Sequence, residues 1–112
     1  MQITAITRFV RISPRKARLA AALMRGRFVP EAILQLEHCG LKGGRLLLKT
    51  LKSAVANAES QFEYRPEKLI VGEVRVDEGP HLKRSKPRSR GQRHPFVKRT
   101  SHFTVVLSPQ EK

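Results

Sequence analysis

The spacing of apolar positions divides the chain into stretches of period two at its ends and helical period between them. From Gln2 to Ile12 (QITAITRFVRI), Ile3, Ile6, Phe9, Val10 and Ile12 are interleaved with Thr4, Thr7, Arg8 and Arg11, which predicts a strand. Ser13 and Pro14 then give a hydroxyl cap and a proline at the first helical position, where a missing amide hydrogen costs nothing. Ala17, Ala20, Leu23 and Met24 share a stripe, so a helix is expected over Pro14 to Arg25, stopped by Gly26. A second helix, Pro30 to His38, turns Ala32, Ile33 and Leu36 inward. A third, Lys42 to Gln61, carries Leu47, Leu51, Ala54, Val55 and Ala58 on one side, with Gly43 and Gly44 weakening its first turn. Leu69 to Val76 returns to period two, with Ile70, Val74 and Val76 on one face and Glu73 and Arg75 on the other. In the last strand Phe103, Val105 and Leu107 alternate with Thr104 and Val106. The order predicts one α+β domain over residues 1–112, a three-stranded antiparallel sheet packed on one face with three helices.

Charge changes this picture most between the last two strands. From Asp77 to His102 the chain reads DEGPHLKRSKPRSRGQRHPFVKRTSH, and no acidic residue falls between Glu78 and Glu111. Lys83, Arg84, Lys86, Arg88, Arg90, Arg93, Lys98 and Arg99 place eight cations within seventeen positions. Desolvation and mutual repulsion keep such a run out of a core, so it lies in water or against a polyanion. Strands on both sides, with Pro87, Ser89 and Gly91 as turn formers near its middle, predict a long β-hairpin whose outer part, about 80–99, protrudes as an arm from a body of about 1–79 and 100–112. The competing expectation is a disordered basic loop, and the two combine if a floppy arm orders on nucleic acid.

The rest of the chain is basic as well. Net charge is +14, from 23 Lys and Arg against 9 Asp and Glu. On the first helix Arg15, Lys16 and Arg18 have no acidic residue within a turn, and unpaired cations on a helix face read as phosphate contacts. The charge balance points to nucleic acid first and an anionic membrane second. No apolar stretch approaches the ~20 residues that span a bilayer, and no signal peptide is visible. The single cysteine, Cys39, has no intramolecular partner and reads as a small buried hydrophobe in a reducing compartment.

Catalytic chemistry is not indicated. Asp77 and Glu78 are adjacent, so on a strand they point to opposite faces. His38, His81, His94 and His102 are scattered, zinc-ligand spacing is absent, and there is no glycine-rich phosphate loop. No enzyme activity, metal or cofactor is expected.

Four motifs make the chain recognisable: SPRKARL at Ser13 to Leu19, LKSAVANAE at Leu51 to Glu59, VDEGP at Val76 to Pro80 and KRTSH at Lys98 to His102. In this order and spacing they resemble the bacterial and organellar ribosomal protein L-twenty-two family of the large subunit. The resemblance implies a compact body near the polypeptide exit and a hairpin following the exit tunnel inward. It also implies binding to large-subunit rRNA, a part in subunit assembly, and a hairpin tip beside ribosomal protein L-four and the nascent polypeptide, linked in the family to macrolide sensitivity. The implied location is the ribosome of the cytoplasm or of an organelle, with no membrane and no homo-oligomer. The residues expected to meet rRNA are Arg8, Arg11, Arg15, Lys16, Arg18, Arg25, Lys49, Lys52, Lys83, Arg84, Lys86, Arg88, Arg90, Arg93, Lys98, Arg99, Thr100, Ser101 and His102. The tip lining the tunnel would be Arg84, Lys86, Pro87, Arg88, Ser89, Arg90, Gly91, Gln92 and Arg93. Around the tip the chain departs from the family pattern, with Gln92, Arg93, His94 and Pro95 after Gly91 and Phe96 in place of an aliphatic. Pro95, lacking an amide donor, is expected to interrupt the returning strand.

The expected mechanism is structural: cations neutralise phosphates of several RNA segments, with RNA shape supplying selectivity. Two rivals are an architectural DNA-binding protein with cationic β-arms and a membrane-active hairpin. The arm's only apolar residues, Leu82, Phe96 and Val97, weigh against the membrane.

Overall fold

The computed structural model describes residues 3–80, 82–87 and 93–109, and of 82–87 and 93–98 the backbone alone. The elements are β1 (Ile3–Val10), α1 (Pro14–Ala21), α2 (Val29–His38), α3 (Lys42–Phe62), a 3₁₀ turn (Pro66–Lys68), β2 (Leu69–Glu78), β3 (Leu82–Pro87), β4 (Arg93–Lys98) and β5 (Ser101–Pro109). The α+β expectation holds. The strand that begins where the cations end, β5, is the centre of a three-stranded sheet of order β1-β5-β2, and both pairings are antiparallel. Its central place explains why it is buried on both faces: Phe103, Val105 and Leu107 are fully inside, and Thr104 and Val106 are nearly so.

Three helices cover one face. α3 lies against β1 and β5, α1 against α3 and β2, and α2 against α3 and β2. Leu47, Leu51, Ala54 and Ala58 of α3 and Ala17, Ala20 and Ala21 of α1 join Phe103, Val105 and Leu107 in one core. The two glycines that weaken the first turn of α3 have a packing reason. A Cβ on Gly43 would stand 3.2 Å from Ala17 Cα and 3.3 Å from Ile12 Cδ1, so only glycine lets the starts of α1 and α3 approach this closely. Where β1 passes under α3, the Thr7 and Thr50 hydroxyls satisfy each other at 2.7 Å.

Two bulges alter the predicted faces. β2 shifts register between Val71 and Glu73, so Leu69 and Val71, then Val74 and Val76, point into the core. Ile70, expected inside with Val74 and Val76, is therefore on the other face, because an inserted residue at Gly72 resets the alternation. β1 shifts between Thr7 and Val10. Phe9 there has φ of 58° and is 61% exposed, a left-handed conformation that costs a phenylalanine on the order of 1–2 kcal/mol.

Helix ends also differ from expectation. α1 stops at Ala21, not Arg25, because the chain tightens into i→i−3 bonds, Leu23 N–H to Ala20 O and Met24 N–H to Ala21 O. It then turns at Gly26 (φ 73°), whose N–H donates to Val71 O, while Val71 N–H donates to Arg27 O. Leaving the helix early thus lays backbone along the outer edge of β2. Ser13 occupies the cap position, but its hydroxyl makes no capping bond. α3 runs to Phe62 and closes through Glu63 (φ 57°), with Tyr64 N–H donating to Ala58 O. Cys39 is half-buried, not fully inside, and its thiol donates to Leu36 O at 3.3 Å.

Beyond the sheet the backbone of 82–87 pairs with that of 93–98. The β2–β5 ladder ends at Glu78 opposite Ser101, and a second antiparallel ladder, β3 with β4, runs from Leu82 opposite Lys98 to Pro87 opposite Arg93. Pro95 does not interrupt β4; it pairs opposite Ser85. Both strands of a two-stranded ribbon are edges, where proline is tolerated. The molecule measures 68 × 25 × 17 Å with a radius of gyration of 17.1 Å, against ~13 Å for a compact chain of this length. Among the described residues no helix is long and apolar enough to cross a membrane.

Candidate nucleic-acid interface

The gap between the two ladders is the root of the ribbon, and its geometry is set by short side chains. Gly79 N–H donates to Thr100 O at 2.9 Å, and the Thr100 hydroxyl donates to Pro80 O at 2.7 Å. Gly79 is buried here, and a Cβ on it would stand 2.5 Å from Thr100 Oγ1. Ser101, fully buried, donates its hydroxyl to Ile12 O at 2.7 Å. Thr100 and Ser101 were expected at RNA. The structure turns both hydroxyls inward, because a buried hydroxyl must find a partner inside: Thr100 ties the two sides of the root together at Pro80, and Ser101 ties the start of β5 to the β1–α1 junction at Ile12.

That fastening brings separate stretches of cations to one corner. Val10 pairs with Ser101, which places Arg8 and Arg11 beside the root, with Arg99 two residues before Ser101. Lys42 at the start of α3 donates from Nζ to Arg11 O at 3.2 Å. Arg15 and Lys16 occupy the first turn of α1, whose start is held against that of α3 at Gly43. All of these cations are exposed. Neither helix has an acidic residue in its first turn or a side-chain cap. The positive ends of two helix dipoles therefore meet in a field of cations, an arrangement that favours phosphate. Lys42 was not among the expected residues. Its signal in the sequence was a cation at a helix start with no acid nearby.

The remaining predicted cations divide. Lys49 and Lys52 are exposed along α3, seven and ten positions beyond Lys42. Arg18 and Arg25 serve the protein: Arg18 donates to Val76 O at 2.9 Å and Arg25 to Val74 O at 2.8 Å. Both carbonyls belong to β2, an edge strand, whose outer side is otherwise lined by the Gly26 to Arg27 backbone. His102 is half-buried and accepts the Phe9 N–H on Nδ1 at 3.1 Å. Arg27 pairs with Glu31 at 2.7 Å and Arg75 with Glu73 at 3.3 Å, and neither arginine is among the cations expected at RNA. Lys83, Arg84, Lys86, Arg93 and Lys98 lie on the ribbon strands, whereas Arg88, Ser89, Arg90, Gly91 and Gln92 fall outside the described residues. No group of metal-binding side chains occurs among the described residues.

A "Large ribosomal subunit protein uL22" of Protochlamydia amoebophila (strain UWE25) is 67% identical over 104 residues, 93% of this chain and 94% of the relative. Proteins with the same name from Chlamydia abortus and Chlamydia pneumoniae are each 56% identical over 108 residues, 96% of this chain and 97% of the relative. Residues 5–108 match the family described as "Ribosomal protein L22p/L17e". The chain belongs to that ribosomal protein family.

Proposed function

We propose that this chain is a structural constituent of the large ribosomal subunit in a cytoplasmic ribosome. In this reading it binds large-subunit rRNA and helps the subunit assemble. It is a ribosomal structural protein and not an enzyme, as its family is. The observation that carries the rRNA reading is the corner where Arg8, Arg11, Arg15, Lys16, Lys42 and Arg99 surround the root of a cationic ribbon. Cations on a rigid body and cations on an extended ribbon reach phosphates of RNA segments that lie far apart, and neutralising both sets holds those segments together.

The ribbon's role follows from its charge and the molecule's length. Six paired residues per strand extend about 20 Å, consistent with an arm that accounts for the 68 Å dimension. With Lys83, Arg84, Lys86, Arg93 and Lys98 on its strands, such an arm needs walls of phosphate. The exit tunnel of the large subunit supplies them, so the tip would line the tunnel beside ribosomal protein L-four and the passing nascent chain. The body would then sit near the exit. Co-sedimentation tests the reading: the tagged chain should stay with the large subunit through a high-salt wash, and recovery with the small subunit or in the supernatant would contradict it. A photo-crosslinker on Ser89→Cys, in a Cys39→Ala background, should capture stalled nascent chains.

A further inference from the structure

Phe9 lies outside every assignment made so far. Without the bulge between Thr7 and Val10 it would share the inner face of β1 with Thr7; instead Val10 takes the inward place and Phe9 is turned out. The bulge therefore exposes an aromatic ring at the expense of a left-handed backbone that glycine would adopt freely. The exposed ring is also held in place. Its own N–H donates to His102 Nδ1 at 3.1 Å, and the two rings meet perpendicularly with centroids 5.0 Å apart. A perpendicular contact covers at most one face of the phenyl ring, and with 61% of the residue exposed a face stays open.

From this geometry we infer that Phe9, braced by His102, is a stacking platform for an unpaired base of RNA held at the basic corner. This rests on the rRNA-binding reading and names a contact it does not contain. Charge decides the class of occupant. Arg8 and Arg11 flank Phe9 in the chain, and Lys42 is tied to Arg11 O. An open aromatic face among unpaired cations is how single-stranded nucleic acid is held, the cations taking the backbone and the ring a base. His102 belongs to the site as a positioning residue, since its unprotonated Nδ1 fixes the backbone that aims the ring.

The test compares the full chain with Phe9→Trp, Phe9→Leu and Phe9→Gly, using an in vitro transcript of large-subunit rRNA. Affinity, salt slope, chemical reactivity of unpaired bases and the unfolding midpoint are measured for each. Phe9→Trp should bind like the parent. Phe9→Leu and Phe9→Gly should bind roughly 5- to 100-fold more weakly, the range for losing one stacked base. Their salt slopes should be unchanged, and a discrete unpaired base should regain reactivity. The unfolding midpoint of Phe9→Gly should not fall, because glycine relieves the strained φ, so its weaker binding cannot be misfolding. Parent-like affinity of both Phe9→Leu and Phe9→Gly would overturn the inference. So would parent-like binding to naked RNA combined with failure to enter reconstituted subunits, which would assign Phe9 to a protein neighbour. If the parent chain ignores the transcript, it is the rRNA reading itself that fails.

Discussion

Arg15 and Arg18 sit three positions apart on an eight-residue helix and answer to different partners. Arg18 reaches Val76 O and, seven residues further on and past the end of the helix, Arg25 reaches Val74 O. Arg15 has only solvent or a ligand before it among the described residues. Replacing Arg18 or Arg25 by Ala should cost about 1–2 kcal/mol in urea denaturation, the worth of a charged hydrogen bond discounted for exposure. Arg15→Ala should leave stability within ~0.5 kcal/mol and instead lower rRNA affinity, reducing the salt slope by about one. Equal destabilisation by all three would contradict the division. Glu63 offers a test of opposite sign: at φ 57° it closes α3 in a conformation glycine prefers. Glu63→Gly should raise the unfolding free energy by about 1 kcal/mol. The roles of Arg18 and Arg25 were not legible from spacing, because their partners lie 58 and 49 positions away.

At the scale of elements, the strands and helices were legible and their terminations less so. Period and capping residues sufficed for the three helices and three sheet strands. The stops at Ala21 and the face reversal at Gly72 were not legible, because both serve β2, an element that the local sequence around α1 does not contain. Gly43 was read as a weakness of α3 and is a contact between two helix starts. Gly43→Val should therefore destabilise by about 1–3 kcal/mol through overpacking, although valine has the better helix propensity. An unchanged denaturation midpoint would show that the crossing tolerates a side chain. The ribbon makes the complementary prediction. Every core residue among those described lies in 3–76 or 103–107, and β3 and β4 pair only with each other. Replacing 83–93 by a short turn should leave cooperative thermal unfolding of the body intact. Loss of cooperativity would mean that the body depends on the ribbon.

At the scale of the molecule, a net charge of +14 that would repel in isolation is arranged so that a polyanion completes it. The class of partner was legible in that balance. The shared corner was not, because bringing Arg8, Arg11, Lys42 and Arg99 together takes the closure of the sheet around β5 and the inward bonds of Thr100 and Ser101. The central claim is that body and ribbon together bind large-subunit rRNA through phosphates. Its most direct test is the affinity of the full chain for that RNA between 50 and 200 mM salt. If about ten phosphates are neutralised, log affinity should fall with log salt at a slope of roughly −7 to −9, a loss of four to five decades across that range. A slope near zero would contradict it.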